Sequence, residues 1–233
     1  MEFEVCIDSV SGAIAASKYG AKRVELCSAL SEGGLTPSSG LIAACAAQST
    51  AEVFVMIRPS AGGFSYTEQE LLIMQNDIEL AHQCGADGVV FGVLNADFNI
   101  DIQKNAFLLE TAFRLALGTT FHRAIDLSPA PEKAVEDLVN LGFDRILTSG
   151  GRAKAAEGIP TIKKMSLAAN NRIELMAGSG VNPENVAEFM SIGINAVHFT
   201  AHKKHAENLS LDMGPKYDVN EEKIQRIANQ LNK

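Results

Sequence analysis

Residues able to do chemistry collect where short apolar strands end. In RVELCSALSEGGLTPS, Arg23 to Ser38, Val24 and Leu26 alternate with Glu25 and Cys27. An extended chain therefore sends the apolar pair to one face and a carboxylate and a thiol to the other. Cys6 holds the matching place in the preceding apolar run, Phe3 to Ile7. Two thiolates on neighbouring strands, with Met56, Met176, His122 or His198 nearby, offer the soft donors that select Cu(I) over hard cations. The competing reading makes each cysteine a small buried hydrophobe. Glu25, Arg58, His122, Arg123 and Asp126 stand at strand ends, with the side chains needed for acid, base and anion-anchoring roles. An ion-pair network inside the fold would use the same residue types. Gly178, Ser179 and Gly180 after one strand, with Thr200 at the end of the next, could present backbone N–H groups to an anion, although glycine also serves tight corners. Ser149-Gly150-Gly151 makes a second glycine loop. His198, His202 and His205 lie close in sequence, but without a helix to align them they read as a solvated loop. Glu68 and Glu70 read as surface charges that favour a helix start.

Bringing strand ends together requires a repeated unit, and the chain carries one. GAKRVELC from Gly20, GADGVVFG from Gly85, GFDRILTS from Gly142 and GINAVHFT from Gly193 share a glycine followed by an apolar strand. Each glycine follows an apolar-periodic stretch, as a residue just past a helix end should. Four more strands are predicted at Phe3 to Ile7, Val53 to Ile57, Thr119 to Arg123 and Ile173 to Met176. Helical spacing fills the gaps, at Val10 to Tyr19, Ser38 to Ala47, Thr67 to Cys84, Ile102 to Leu117, Pro131 to Leu141, Pro160 to Ala169, Pro183 to Ile192 and Glu221 to Leu231. Strict alternation of strand and helix over eight units predicts an α/β fold, a (β/α)8 TIM-type barrel forming a single domain over 1–233. An open doubly wound sheet would carry GxGxxG after its first strand, and Asp8-Ser9-Val10-Ser11-Gly12 does not fit. Ala201 to Val219 is the longest irregular segment, a loop after the eighth strand that could cover the mouth, within a C-terminal loop and helix spanning 201–233.

Period-two alternation then predicts which side chains line the barrel. Phe3, Val5, Ile7, Val24, Leu26, Val53, Val55, Ile57, Val89, Phe91, Ile146, Val197 and Phe199 face the helices. Glu4, Cys6, Asp8, Glu25, Cys27, Phe54, Met56, Arg58, His122, Ser149, Glu174, Met176, His198 and Thr200 face inward. A lumen built for stability alone would be mostly Val, Ile and Leu, so this polar lining implies function.

Composition narrows the partners. The chain has 233 residues, 46% of them hydrophobic and 21% charged, enough to bury a full core. A formal charge of -8 leaves no basic stripe for nucleic acid. No apolar run is long enough for a membrane span, and Met1-Glu2-Phe3-Glu4 lacks a basic signal-peptide region, so no membrane partner and a cytoplasmic location are expected. Four scattered cysteines, Cys6, Cys27, Cys45 and Cys84, do not make a disulfide framework.

Five ordered motifs also resemble a known family: ELCSALSEGGLTPSSG (Glu25 to Gly40), VFVMIRP (Val53 to Pro59), GADGVVFGVL (Gly85 to Leu94), TFHRAID (Thr120 to Asp126) and LTSGG (Leu147 to Gly151) are similar to the CutC copper homeostasis proteins. The resemblance implies a cytoplasmic TIM-type barrel, a homo-oligomer (dimer or tetramer), and copper-binding cysteines at Cys6 and Cys27. It departs from the family pattern at Ser60, Gly63 and Ile125. Two functions follow as expectations. One is a homeostasis protein holding Cu(I) through Cys6 and Cys27. The other is an enzyme acting on a small anionic or phosphorylated metabolite, with Glu25 and His122 as acid and base, and with Arg58, Gly178, Ser179, Gly180 and Thr200 holding the anion.

Overall fold

Apolar alternation at period two, punctuated by glycine after the helices, builds one unit eight times over. The structure, a computed structural model, describes residues 1–205 and 216–232. Parallel strands β1 (Glu2–Ile7), β2 (Arg23–Leu26), β3 (Glu52–Met56), β4 (Gly88–Phe91), β5 (Gly118–Phe121), β6 (Arg145–Thr148), β7 (Glu174–Gly178) and β8 (Ala196–Thr200) pair in sequence order. The sheet closes where β8 pairs with β1. The crossovers carry α1 (Val10–Lys18), α2 (Ser39–Gln48), α3 (Glu68–Gln83), α4 (Ile102–Arg114), α5 (Pro131–Leu141), α6 (Ala155–Ala169) and α7 (Val186–Phe189), and α8 (Glu221–Leu231) follows β8. The fold is the predicted (β/α)8 barrel. Among the described residues no helix is long and apolar enough to cross a membrane.

Local chemistry fixes the helix starts. Ser9, Ser38, Asp101 and Asn220 each accept a backbone N–H of the first turn. Thr67 and Glu70 form a reciprocal capping box on α3, so the acidic pair read from the sequence as dipole-favouring includes a cap.

The alternation sorts the core as parity predicts. Val5, Val24, Val55, Phe91, Ile146 and Val197 pack outward with Ile42, Met74, Leu108, Leu138, Ile162 and Ile227 of the helices. Inside the barrel sit two smaller apolar groups: Cys6, Cys27, Phe54, Met56 and Val90, and Leu147, Met176 and Ala196. At the amino-terminal end of the strands the lumen is ionic. Glu4 and Arg23 face each other in the β1–β2 register, and Arg23 Nε lies 3.3 Å from Glu4 Oε2. Arg23 Nη1 reaches Glu2 at 3.2 Å, and Arg145 Nε donates to Glu174 at 2.7 Å.

Three elements differ from the sequence reading. Helix α6 begins at Ala155 rather than Pro160, which lies inside it. Proline is tolerated near a helix start, and here it stands more than one turn in. Helix α7 covers only Val186–Phe189 of the expected Pro183 to Ile192. There the Asn182 side chain accepts from Glu184 N and Asn185 N, while Asn185 Oδ1 accepts from Asn182 N, giving the backbone a turn in place of a helix. The segment Ala201 to Val219 is not irregular throughout: β9 (His202–Lys204) and β10 (Tyr217–Val219) pair antiparallel at its ends, and 206–215 lies outside the described residues. His202 stacks on Tyr217 at 5.4 Å, so the histidine run is partly held in a hairpin.

One close approach positions the loop after β6. A Cβ on Gly158 would overlap the Ser149 carbonyl oxygen, and one on Gly150 (φ +69) would overlap the Gly158 backbone. Helix propensity alone makes Ala at 158 more stable by about 0.5–1 kcal/mol, whereas overpacking against backbone costs about 1–3 kcal/mol. Gly158→Ala is therefore expected to destabilise the fold in urea titration, and a gain in stability would contradict this packing.

Candidate functional site

The carboxyl ends of the strands surround a cavity of about 450 Å³. Two chemically different corners line it. On the β1, β2 and β8 side stand Cys6, Glu25, Cys27 and His198; on the β3 and β5 side stand Arg58, Phe64 and His122.

In the first corner, register does the placing. Cys6 pairs with Glu25 on β2 and with Thr200 on β8, so Cys27 lies one step up and diagonal to Cys6. The donor atoms of Cys6, Glu25 and Cys27 all lie within 4.8 Å of one another, and all three residues are buried. Cys27 Sγ donates to Glu25 Oε2 at 3.5 Å, while Glu25 Oε1 has no hydrogen-bond partner. His198 Nδ1 meets Glu4 Oε1 at 2.8 Å and His198 Nε2 lies 3.7 Å from Glu25 Oε2. The neighbouring Cys27 thiol outweighs burial and brings Cys6 down to about 5, while the same interaction, with burial, pushes Cys27 well up. Burial lifts Glu25 well above the usual carboxylate range. Burial opposes charge on His198, but Glu25, Cys6 and Glu4 more than offset it and hold the imidazole well above its ordinary value.

The second corner is built by a loop. Arg58 N donates to Thr36 Oγ1 at 2.9 Å and Thr36 N returns a bond to Arg58 O at 3.0 Å, tying the β3 and β2 loops together. The guanidinium donates to three carbonyls: Glu32 and Gly34 from Nη1, each at 3.0 Å, and Gly62 from Nη2 at 2.8 Å. His122 Nδ1 accepts from Ala124 N at 3.3 Å, which puts the neutral ring's proton on Nε2. Burial, aided by the Arg58 charge, pulls His122 down to about 3. The ring is neutral across the working range of pH, unlike a general base poised near 7.

The glycine loop after β7 contributes at the rim. Ser179 and Gly180 line the cavity, and so do Thr200 and Lys223 of α8. Ser179 adopts φ +83, held by its hydroxyl donating to Ala153 O and its carbonyl accepting from Ala155 N. Gly178 is the last residue of β7, and a Cβ there would press on Leu147 and His198.

Comparison with known proteins decides the family. The chain matches the CutC family over residues 1–203. The chain belongs to the CutC family. A CutC family protein of Vibrio cholerae serotype O1 is 45% identical over 201 residues, covering 86% of this chain and 79% of that one. One from Bacteroides thetaiotaomicron is 43% identical, covering 99% and 96%. A solved CutC structure from Streptococcus agalactiae, described as a copper homeostasis protein, superposes with TM-score 0.80 at 36% identity over 85% of this chain and 98% of that one.

In this CutC-family barrel the residues singled out from the sequence divide three ways. Cys6, Glu25, Cys27 and His198 converge, and Arg58 and His122 line the same cavity on its β3 and β5 side. Asp126 is a latch: it accepts from Thr148 Oγ1, Ser149 N, Ser149 Oγ, Gly151 N and Arg123 Nε, so with Arg123 it ties the β5 and β6 loops. Met56 packs with both cysteines, whereas Met176 packs with Leu147 and Ala196. His202 pairs with Asp8 at 3.2 Å and His205 with Asp218 at 2.8 Å. Sequence reasoning missed Phe64, Tyr66 and Lys223. The glycines at 62 and 63 signalled a special loop, but nothing in the spacing placed its aromatics against Arg58.

Proposed function

We propose that this CutC-family barrel is a copper homeostasis protein that holds Cu(I) between Cys6 and Cys27, for buffering or delivery in the cytosol. One observation carries the reading: two sulfurs share one small space with a buried carboxylate, one of whose oxygens lacks any partner. An orphaned buried carboxylate oxygen forgoes about 1–3 kcal/mol or more, which a cation would restore. Two thiol sulfurs with the Met56 thioether beside them suit a soft monovalent ion better than a hard one. Disulfide closure is the competing use of two close thiols, and the diagonal register disfavours it. Diagonal neighbours in a sheet are separated by roughly 7–8 Å between Cα atoms, beyond the usual disulfide span. Exposed Leu72, Ile73 and Leu80 on α3 favour assembly into a homo-oligomer.

The test is an anaerobic titration against a chromophoric Cu(I) chelator, with and without excess Zn(II). The expected result is one Cu(I) per chain, retained under Zn(II) and unchanged in a Cys45→Ser, Cys84→Ser protein. Displacement by Zn(II), or loss of uptake in that control, would overturn the assignment. The second reading, an enzyme with Glu25 and His122 as acid and base, has less support, because the His122 ring is neutral and its Nδ1 already occupied.

A further inference from the structure

The β3–β5 side of the cavity contains an unsolved problem in hydrogen bonding. Arg58, Tyr66 and His122 are 5%, 3% and 4% exposed, and Arg58 Nε, Tyr66 Oη and His122 Nε2 are all buried without a partner. The tautomer fixed by Ala124 makes His122 Nε2 a donor. Arg58 Nε is a donor by nature, and a phenol offers its proton. Tyr66 stands beside Arg58, and burial raises its hydroxyl to about 12, so the phenol stays protonated. Among the described residues no carboxylate lies within salt-bridge distance of Arg58, whose charge meets only backbone carbonyls.

Two orphaned donors on one cavity wall, Arg58 Nε and His122 Nε2, beside a buried cation define what is missing: an acceptor carrying negative charge. Each unmade bond costs about 1–3 kcal/mol, more where charge is involved. A neutral carbonyl ligand would satisfy one donor and leave the guanidinium uncompensated, so an oxyanion fits best.

A single side chain covers the place. The Phe64 ring lies 5.0 Å from the Arg58 guanidinium carbon and 4.6 Å, centroid to centroid, from His122. Its backbone is anchored, since Phe64 O accepts from Leu94 N at 2.8 Å, yet the side chain is only half buried. Rotation about its side-chain bonds would uncover the donors without moving the strand, and rotations of that kind are fast.

We propose that Arg58 and His122 form a binding site for a small oxyanion, a carboxylate or phosphate, with Phe64 as its removable cover. The site shares the cavity with Cys6 and Cys27 and does not depend on copper binding there. It keeps Arg58 from the anion site expected from the sequence but pairs it with His122 in place of Gly178 to Gly180, so its donors are side chains buried in the β3 and β5 loops.

The chain contains no tryptophan, so Phe64→Trp installs a single fluorophore on the cover. Calorimetry of the unaltered protein with inorganic phosphate and with malonate is expected to give one saturable site per chain for at least one probe. Phe64→Trp fluorescence should saturate over the same range. Affinity should fall about tenfold or more in Arg58→Gln and also in His122→Phe, the second variant guarding against misfolding of the first. Absence of saturable heat and of fluorescence change with both probes would overturn the proposal. So would binding that His122→Phe leaves unchanged, which would place the anion at the glycine loop instead.

Discussion

A protein in which Cys6 and Cys27 are both serine is expected to take up no stoichiometric Cu(I) in anaerobic titration, while keeping its fold. The two sulfurs lie on adjacent strands of one closed sheet, so serine, which is nearly isosteric, leaves β1–β2 pairing intact. What disappears is chemical softness, since a hydroxyl is a poor ligand for a soft ion. The single variants should differ. Cys27 holds the neighbouring Cys6 thiol below its ordinary value, so Cys6→Ser removes the sulfur that ionises more readily and with it the charge that draws the ion in. Cys27→Ser keeps a hydroxyl able to donate to Cys6 and removes one of the two soft ligands, weakening uptake near neutral pH less severely. Full-strength uptake by the double variant would refute the ligand assignment whatever the phenotype of either single change.

The second large effect concerns stability. Arg23 is 1% exposed and bridges Glu4, which is fully buried, to Glu2 at the base of the lumen. Removing one partner of a buried ion pair leaves an uncompensated charge, at a cost of about 3–5 kcal/mol. Arg23→Met is expected to lose that much in urea denaturation. Arg226→Met, which breaks the exposed pair with Glu184, should lose no more than about 1 kcal/mol. The effect should reach the site as well, because Glu4 also orients His198 against Glu25. An Arg23→Met protein as stable as the Arg226→Met control would show that the basal network is dispensable.

Much of this arrangement is legible in the sequence because a barrel strand has one simple rule. Alternate residues change sides, so locating Val24 and Leu26 on the outside already puts Glu25 and Cys27 within. The same rule could have placed Arg23 and Arg145 in the lumen. They escaped notice because each follows a turn glycine and reads as part of the connection, while the strands begin there. Loop chemistry was less legible. Arg58 looks like an anion anchor at a strand end, but its partners Glu32, Gly34 and Gly62 are backbone carbonyls, which no side-chain pattern announces. Asp126 carries the residue type of a catalytic acid and spends it on holding Thr148, Ser149 and Gly151. Pro160 resembles a helix start, yet Gly158 pressed on the Ser149 carbonyl fixes where α6 runs.

X-ray absorption at the copper edge, on protein loaded anaerobically with one Cu(I) per chain, addresses the central claim most directly. Two sulfur scatterers bound to the metal, lost when Cys6 and Cys27 are serine, are the predicted result. Copper surrounded only by nitrogen and oxygen, as exposed histidines would supply, would contradict the account.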